Sequence, residues 1–282
     1  MLVLVTGATG YVGRAVVPVL REHGHQVRTL NRPHEDLLKP ETIRADVDAV
    51  VHLAAKTSVR DSVANPTAVW RTNVMGTLNL LDALPNNGAR LVFASTGSVY
   101  GAPAEQPIAE TAPTAPLNPY GAAKLAAEHL IGAQTRTGAL GAVTLRLFSA
   151  AGRPDADLSR IIPKVLAVAA GHEPAVTVNG DGRAIRDFVH VDDLAVAVVR
   201  ALEAARPGTH TIYNVGAIPA SVADIIAAAE RVTGRPVPVN HHEANPGEAR
   251  ELRADTTKIR TELGWAPVHT TLDELIAGHV HG

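Results

Sequence analysis

The chain has 282 residues, 46% of them hydrophobic but only 3% aromatic, with a formal net charge of −2 and no cysteine. That length suits one large α/β domain, or a nucleotide-sized domain with a smaller lobe, around an aliphatic, alanine-rich core. The near-neutral charge gives no support for nucleic-acid binding, the lack of cysteine excludes disulfides, thiol catalysis and zinc–thiolate sites, and no stretch is long and apolar enough to span a membrane.

Residues 2–5 form a short apolar run of the kind that makes a buried parallel strand. With no basic leader it is read as strand rather than signal peptide, so a cytoplasmic location is the expectation. Gly7, Gly10 and Gly13 follow, and an amphipathic stretch runs from residue 11 to residue 23 and stops at Gly24. Strand, glycine turn and helix are the context of a dinucleotide fingerprint. The glycines let the backbone close on a pyrophosphate, and the helix N-terminus offers free N–H groups and partial positive charge. Further strands are expected at 26–30, 49–53, 90–94, 142–147 and 211–215, with helices between most of them. This alternation defines an α/β fold, a doubly wound parallel Rossmann sheet with right-handed crossovers.

Asn65-Pro66 and Asn118-Pro119 both read as helix starts with proline at the first helical position. On the second helix Tyr120 and Lys124 are four residues apart and share a face. A nearby ammonium favours phenolate, so Lys124 is expected to lower the Tyr120 pKa, as is a positive nicotinamide ring. A tyrosine that titrates near ~10 needs that help to act as a base at neutral pH. The glycine loop and the Tyr-Lys pair together point to hydride transfer between a nicotinamide and a carbon bearing a hydroxyl or keto oxygen. In the second half, Pro163, Pro174 and the Gly180-Asp181-Gly182 turn mark a substrate region. Asp192-Asp193 is expected to cap a helix, and helices are expected at 221–234 and 255–264. His241-His242 and His279-Val280-His281 lack the spacing and carboxylate company of a metal site, so no metal is expected.

Ordered motifs run nearly end to end: residues 6–13, His52-Leu53-Ala54-Ala55, Asn73 to Thr77, Phe93 to Gly101, Tyr120 to Lys124, Arg186 to Asp193 and Ala254 to Lys258. With them the chain resembles the extended short-chain dehydrogenase/reductase family, in particular its sugar-nucleotide epimerases of the UDP-glucose 4-epimerase type. The resemblance implies Thr96, Tyr120 and Lys124 as catalytic residues, with Ser95 the nearby alternative to Thr96. It implies a cofactor site of Gly7, Gly10, Tyr11, Val12, Gly13, Asn31, Arg32, Asp36, Leu37, Leu53, Ala54 and Ala55, with Lys124 on the nicotinamide ribose, Asp36 on the adenine and Phe148 near the nicotinamide. Asn73 falls at a position that is either an active-site contact or an internal hydrogen bond. Ser95, Thr96, Ser149, Arg186 and Asn245 fall at substrate positions.

Departures from the family pattern sharpen the expectation. Dehydratases of this family carry two acids after the Thr of the Ser-Thr motif, and here those positions are Gly97 and Ser98. Where NAD-binding members have an acid closing the second strand, this chain has Asn31-Arg32. An Arg pairs with a 2′-phosphate, which tilts the choice of NAD or NADP toward NADP, unless Arg32 is a solvated loop residue. Residues 31–48 are short for the family and read as a trimmed crossover with a vestigial strand near Asp36. Asn245 stands where an Arg often binds the diphosphate, leaving Arg153, Arg160 and Arg183 as candidate replacements beside Arg186. The expected function is an NAD(P)-dependent nucleotide-sugar epimerase. An NADPH-dependent keto-sugar reductase is the alternative, and a non-catalytic NADP-sensing protein a third reading. The expected organisation is a dinucleotide domain of residues 1–148 with about 187–216, and a substrate lobe of about 149–186 with 217–282. The resemblance also implies a homodimer through helices at 65–84 and 120–134, with Ala122, Ala123, Ala126 and Ala127 allowing close packing.

Overall fold

A computed structural model describes residues 1–85, 88–243 and 249–281. In chain order its strands are β1 (Leu2–Thr6), β2 (Gln26–Leu30), β3 (Ala49–His52), β4 (Ala89–Thr96), β5 (Leu140–Leu147), β6 (Ser149–Ala151), β7 (Val176–Asn179), β8 (Ile185–His190), β9 (His210–Val215), β10 (Ile218–Ala220), β11 (Val239–His242) and β12 (Glu251–Leu252). The helices are α1 (Tyr11–Glu22), α2 (Val59–Ala64), α3 (Pro66–Trp70), α4 (Gly76–Ala83), α5 (Pro119–Thr135), α6 (Ile161–Ala169), α7 (Val191–Ala204), α8 (Val222–Thr233), α9 (Thr257–Leu263) and α10 (Leu272–His281). Among the described residues none of these helices is long and apolar enough to cross a membrane.

Six parallel strands form the main sheet in the order β2-β1-β3-β4-β5-β9. Its six members are the six strands expected from sequence, each extended by a residue or more or reproduced as read, except that β3 stops one residue early at His52. On one face α1 and α7 pack through Val16, Leu20, Leu194, Val198 and Leu202. On the other, Leu80, Leu81, Ala127 and Ile131 of α4 and α5 cover Leu4, Val50, Leu91 and Phe93. Each fully buried aliphatic side chain contributes about 1.5–3 kcal/mol, so the two layers hold the sheet without aromatic bulk.

The trimmed crossover differs from its expectation. Residues 31–48 form neither helix nor sheet strand, only a short 3₁₀ turn at Pro40–Thr42 and a single bridge between Asp36 and Lys39. These residues still carry the chain from β2 past β1 to β3 but add no strand beyond β2, which ends the sheet. The helix that starts at Asn65-Pro66 is capped by the Asn65 side chain as expected, but it widens into a π turn at Arg71–Met75 before α4. Asp192-Asp193 does not cap α7. His190 does, its Nδ1 accepting from the Asp192 N–H at 3.2 Å.

The second half holds short strands that the sequence pattern did not single out. β8 is flanked by β10 and β12 and also pairs with β6, and β7 pairs with β11. Ile162, Val165, Phe188, Ile225, Ala228 and Leu275 form a separate core there. α8 carries a full capping box at Ser221 and Asp224 and ends on a left-handed Gly234, within the expected limits.

Trp265 fastens the segment between α9 and α10 onto the main core. It is 1% exposed, and its indole N–H donates to the Asp193 carbonyl at 2.8 Å. The Asp193 carboxylate accepts from the N–H groups of Val268 and His269, each at 3.0 Å. Trp265→Ala is expected to lower stability by about 3–5 kcal/mol in urea denaturation, through the cavity and the lost hydrogen bond. A loss under about 1 kcal/mol would show that the site collapses around the gap.

Candidate active site

A cleft of about 1080 Å³ opens at the C-terminal ends of β1, β3, β4 and β5. Every cofactor and substrate residue expected from the sequence lines it except Asn73, and except Asn245, which lies outside the described residues. Backbone approach shapes one wall. Gly7 has φ +73°, and a Cβ there would lie 2.7 Å from the Ala54 nitrogen. A Cβ on Gly13 would lie 2.2 Å from the Gly7 carbonyl oxygen. The loop therefore has room for backbone only. Gly10 leads into α1 with no side-chain cap, which leaves first-turn N–H groups for a pyrophosphate.

A buried chain of hydrogen bonds fixes the second wall. The Thr77 hydroxyl donates to the Asn73 carbonyl at 2.6 Å, so it accepts from His52 Nε2 at 2.9 Å. His52 Nδ1 then accepts the Thr6 hydroxyl at 2.7 Å, and Thr6 Oγ1 accepts the Ala54 N–H at 3.2 Å. Burial, with Lys124 adding to it, brings His52 down to about 3. The Asn73 side chain belongs beneath this wall rather than in it. Its Oδ1 accepts from the Lys56 N–H at 2.8 Å and its Nδ2 donates to the Lys56 carbonyl at 3.0 Å. Asn73 is thus an internal tether placed by the π turn.

At the centre of the cleft Thr96 ends β4 and Tyr120 opens α5. Asn118 caps that helix, its Oδ1 accepting from the Gly121 N–H at 2.8 Å. Gly121 must be small, because a Cβ would lie 2.7 Å from the Ser98 carbonyl oxygen. Tyr120 is 9% exposed and lines the cleft with Thr96, whose hydroxyl accepts the Ser98 N–H at 3.2 Å. Burial pushes the Tyr120 pKa up, and the neighbouring Thr96 hydroxyl opposes the rise. Lys124 is not among the groups that lower it, contrary to the sequence expectation. Its ammonium donates to the Ala94 carbonyl at 2.7 Å and stands 4.5 Å from the centre of the Phe93 ring. Burial brings Lys124 down to about 7, against the pull of Glu128.

Behind these residues lies a buried pair that sequence reading missed. Arg146 Nη2 meets Glu128 Oε2 at 2.8 Å and Arg146 Nε meets Glu128 Oε1 at 3.2 Å. The Ser95 hydroxyl donates to the same carboxylate, and Arg146 also donates to the Tyr100 hydroxyl at 2.9 Å. Ser95 is therefore engaged inward, whereas Thr96 faces Tyr120. Glu128 sits one helical turn after Lys124, and that i+4 spacing was the available signal.

The Phe148 ring packs where a Cβ on Gly97 would lie, 3.1 Å away. Thr96 is followed by Gly97 and Ser98, and among the described residues the carboxylates on the cleft wall are Asp36, Asp155 and Asp157. Asp36 Oδ1 accepts from the Leu38 N–H at 2.9 Å, while Arg32 is exposed at the cleft's edge. Arg186 projects from β8 beside Asp187, whose buried carboxylate accepts from Ala217 and Ala254 N–H groups at 2.7 and 2.9 Å. Of the three candidate replacement cations, only Arg160 lines the cleft.

A glycine-lined pyrophosphate loop facing a Thr-Tyr-Lys set defines a dinucleotide-dependent enzyme that works on a carbon–oxygen centre. The sequence matches the family model described as NAD dependent epimerase/dehydratase family over residues 3–216. The UDP-glucose 4-epimerase of Corynebacterium glutamicum is 36% identical over 308 residues, covering 98% of this chain and 94% of that protein. That of Streptomyces lividans is 37% identical over 307 residues, covering 95% and 92%. Two solved structures are similar throughout. The UDP-glucose 4-epimerase from Stenotrophomonas maltophila with bound NAD and formylated UDP-arabinopyranose has a TM-score of 0.89 at 30% identity, covering 99% of this chain and 96% of that one. The enzyme from Brucella ovis in complex with NAD has a TM-score of 0.89 at 31% identity, covering 99% and 98%. The chain belongs to the NAD dependent epimerase/dehydratase family and is an NAD-dependent enzyme of the extended short-chain dehydrogenase/reductase, epimerase type.

The His52 arrangement makes stability depend on acid. The folded chain holds His52 neutral down to about 3 from an ordinary 6.5, so the unfolded chain binds the extra proton. Stability from this group is complete above about 6.5 and falls by up to about 1.4 kcal/mol per pH unit below it. Urea titrations between pH 7 and pH 4.5 should show that slope, and His52→Asn should reduce it. An equal slope in both proteins would rule out His52 as its source.

Proposed function

We propose that this NAD-dependent nucleotide-sugar epimerase acts on a UDP-hexose at carbon 4, with Thr96, Tyr120 and Lys124 as its catalytic residues. The observation that carries the reading is that Thr96, Tyr120 and Lys124 line one cleft together with the glycine loop. Gly97 and Ser98, which follow Thr96, supply no acid/base pair for water elimination and favour epimerase over dehydratase. The UDP-glucose 4-epimerase relatives support the substrate class.

The glycine cradle, which a Cβ would fill, fits a dinucleotide. When bound, NAD supplies the hydride acceptor and donor for transient oxidation of a sugar carbinol and its re-reduction, together with a positive charge that favours the Tyr120 phenolate. Tyr120 takes the proton from the sugar hydroxyl and later returns it. Thr96 hydrogen-bonds the same oxygen and holds Tyr120 in place. Lys124 sits close to neutrality and reaches the nicotinamide ribose. Burial disfavours the Tyr120 phenolate, so its service as a base depends on the positive charge that a bound cofactor would bring. In this reading residues 1–148 with about 187–216 hold the dinucleotide, and about 149–186 with 217–282 hold the sugar nucleotide, Ser149 and Arg186 included.

A second cofactor is part of the reading. Arg32 is exposed on the cleft wall and the Asn31 amide donates to Thr29 Oγ1 at 2.7 Å, so no acid stands there to repel a 2′-phosphate. NADP is accepted alongside NAD. The assembly is a homodimer through the helical stretch from α3 to α4 and α5, where Trp70 and Met75 are exposed. Ala123 and Ala127 are buried in the chain's own core, so Ala122 and Ala126 form the packing face.

Incubation with UDP-galactose should yield UDP-glucose by NMR with no net change in NADH absorbance. Net consumption of NADPH with a keto-sugar and no epimer would establish the reductase instead. Tyr120→Phe should lower kcat by about 100-fold or more while NAD remains bound. Near-full activity in that variant would eliminate Tyr120 as acid/base.

Cofactor titration tests Arg32. Its pairing with a 2′-phosphate contributes about 1.5–3 kcal/mol, so Arg32→Ala should weaken NADP about ten- to a hundredfold relative to NAD. An unchanged affinity ratio would place Arg32 in solvent. Light scattering at micromolar concentration should give twice the chain mass, and a monomeric mass would reject the dimer.

A further inference from the structure

The cleft lining includes a charged pair that the reaction steps above do not use. A strap of residues 152–160 contributes Asp155, Asp157, Ser159 and Arg160 to that lining and is fastened to the first turn of α1. The Tyr11 hydroxyl donates to the Arg153 carbonyl at 3.2 Å and accepts from the Arg153 N–H at 3.0 Å. Arg160 lies over the same ring, its guanidinium carbon 4.6 Å from the Tyr11 centroid. Arg160 Nη1 donates to Asp155 Oδ2 at 2.6 Å, and Nη2 donates to the Ala150 carbonyl. The Asp155 side chain is 10% exposed and that of Arg160 is 34% exposed. Arg153 turns away, meeting Asp192 at 2.8 Å.

Two facts make this more than a structural clasp. A guanidinium has five N–H donors in a planar fork, and the bonds inside the chain engage two of them. The guanidinium is held against the Tyr11 ring and the side chain lines the cleft, so its remaining donors belong to a residue of the cleft wall. The charge balance also demands a cation at this place. Asp155 and Asp157 line the same end of the cleft and would repel a phosphorylated ligand unless neutralised.

We propose that Arg160 receives the diphosphate of the substrate on the free edge of its guanidinium while Asp155 holds the inner edge, making it a residue that selects nucleoside diphosphates. The proposal rests on the nucleotide-sugar reading above. It separates the roles of the two arginines at this end: Arg186 is set on a strand, whereas Arg160 rides on the strap and connects it to the glycine loop through Tyr11.

Calorimetry with the holoenzyme tests it, with UDP and uridine as probes for wild type, Arg160→Gln and Asp155→Asn. UDP should bind wild type, and Arg160→Gln should weaken UDP by about tenfold or more with uridine and NAD unchanged, since only the charge-assisted bond is lost. Asp155→Asn should bind UDP at least as tightly as wild type, because the competing carboxylate is gone. Equal UDP affinity in Arg160→Gln and wild type would overturn the proposal. So would a parallel loss of UDP, uridine and NAD, which marks a clasp that only holds the strap. If the wild-type protein binds none of the common nucleoside diphosphates, the nucleotide-sugar reading itself fails, an outcome distinct from both.

Discussion

Where β1 gives way to α1, three stretches of backbone approach more closely than any side chain allows. Gly7 abuts Ala54 and Gly13 abuts Gly7, so the turn after β1, the turn after β3 and the start of α1 form one rigid surface. The rest of the cleft is arranged around that contact. It determines where a pyrophosphate can lie, and hence how far along the strand ends Thr96 and Tyr120 must stand. The Thr6–His52–Thr77 chain reinforces it from below by tying the ends of β1 and β3 to the helix that carries Asn73. A polar chain in so dry a place is stable because each donor meets an acceptor, and a neutral His52 is the form that completes it.

Thr96 and Tyr120 are positioned by a different device. α5 is locked to β5 by the Glu128–Arg146 pair and to β4 by the Ser95 hydroxyl beside Thr96. Removal of one partner from such a pair leaves an unpaired buried charge, so the geometry is held all or none. The same burial that fixes Tyr120 also raises its pKa, and it lowers that of Lys124. Proton affinity at this centre thus follows from how dry it is, and charge brought by ligands has correspondingly large effects.

Much of this was legible in the residues. Glycine at 7, 10 and 13 records an absence of space, and a helical start at Asn118-Pro119 fixes the face shared by Tyr120 and Lys124. The caps at Asn65, Asn118 and Ser221 were readable because short polar side chains signal helix ends. His190 was not, since histidine is rarely a cap and its ring also stacks on His269, with centroids 3.7 Å apart. The short strands β6, β7, β8, β10, β11 and β12 are too brief to give a period. Pairings such as Tyr11 with Arg153, 142 residues apart, exist only once the fold has formed. Asn73 was ambiguous for the same reason: the residue type announces a hydrogen bond but not its partner.

The trimming of this crossover has a consequence for the whole particle. With residues 31–48 reduced to a loop, β2 has a neighbour on one side only, and it presents a row of backbone groups that another chain could pair with. The middle of that edge is Arg28. Its guanidinium is anchored by Glu35 at 3.0 Å and by the Arg44 carbonyl, so the shortened loop is folded back along the strand by a charged side chain. A fixed charge and a covering loop are what sheet edges use against edge-to-edge aggregation. The economy of a shorter chain thus shifts onto Arg28 the protective task that a further strand would otherwise perform.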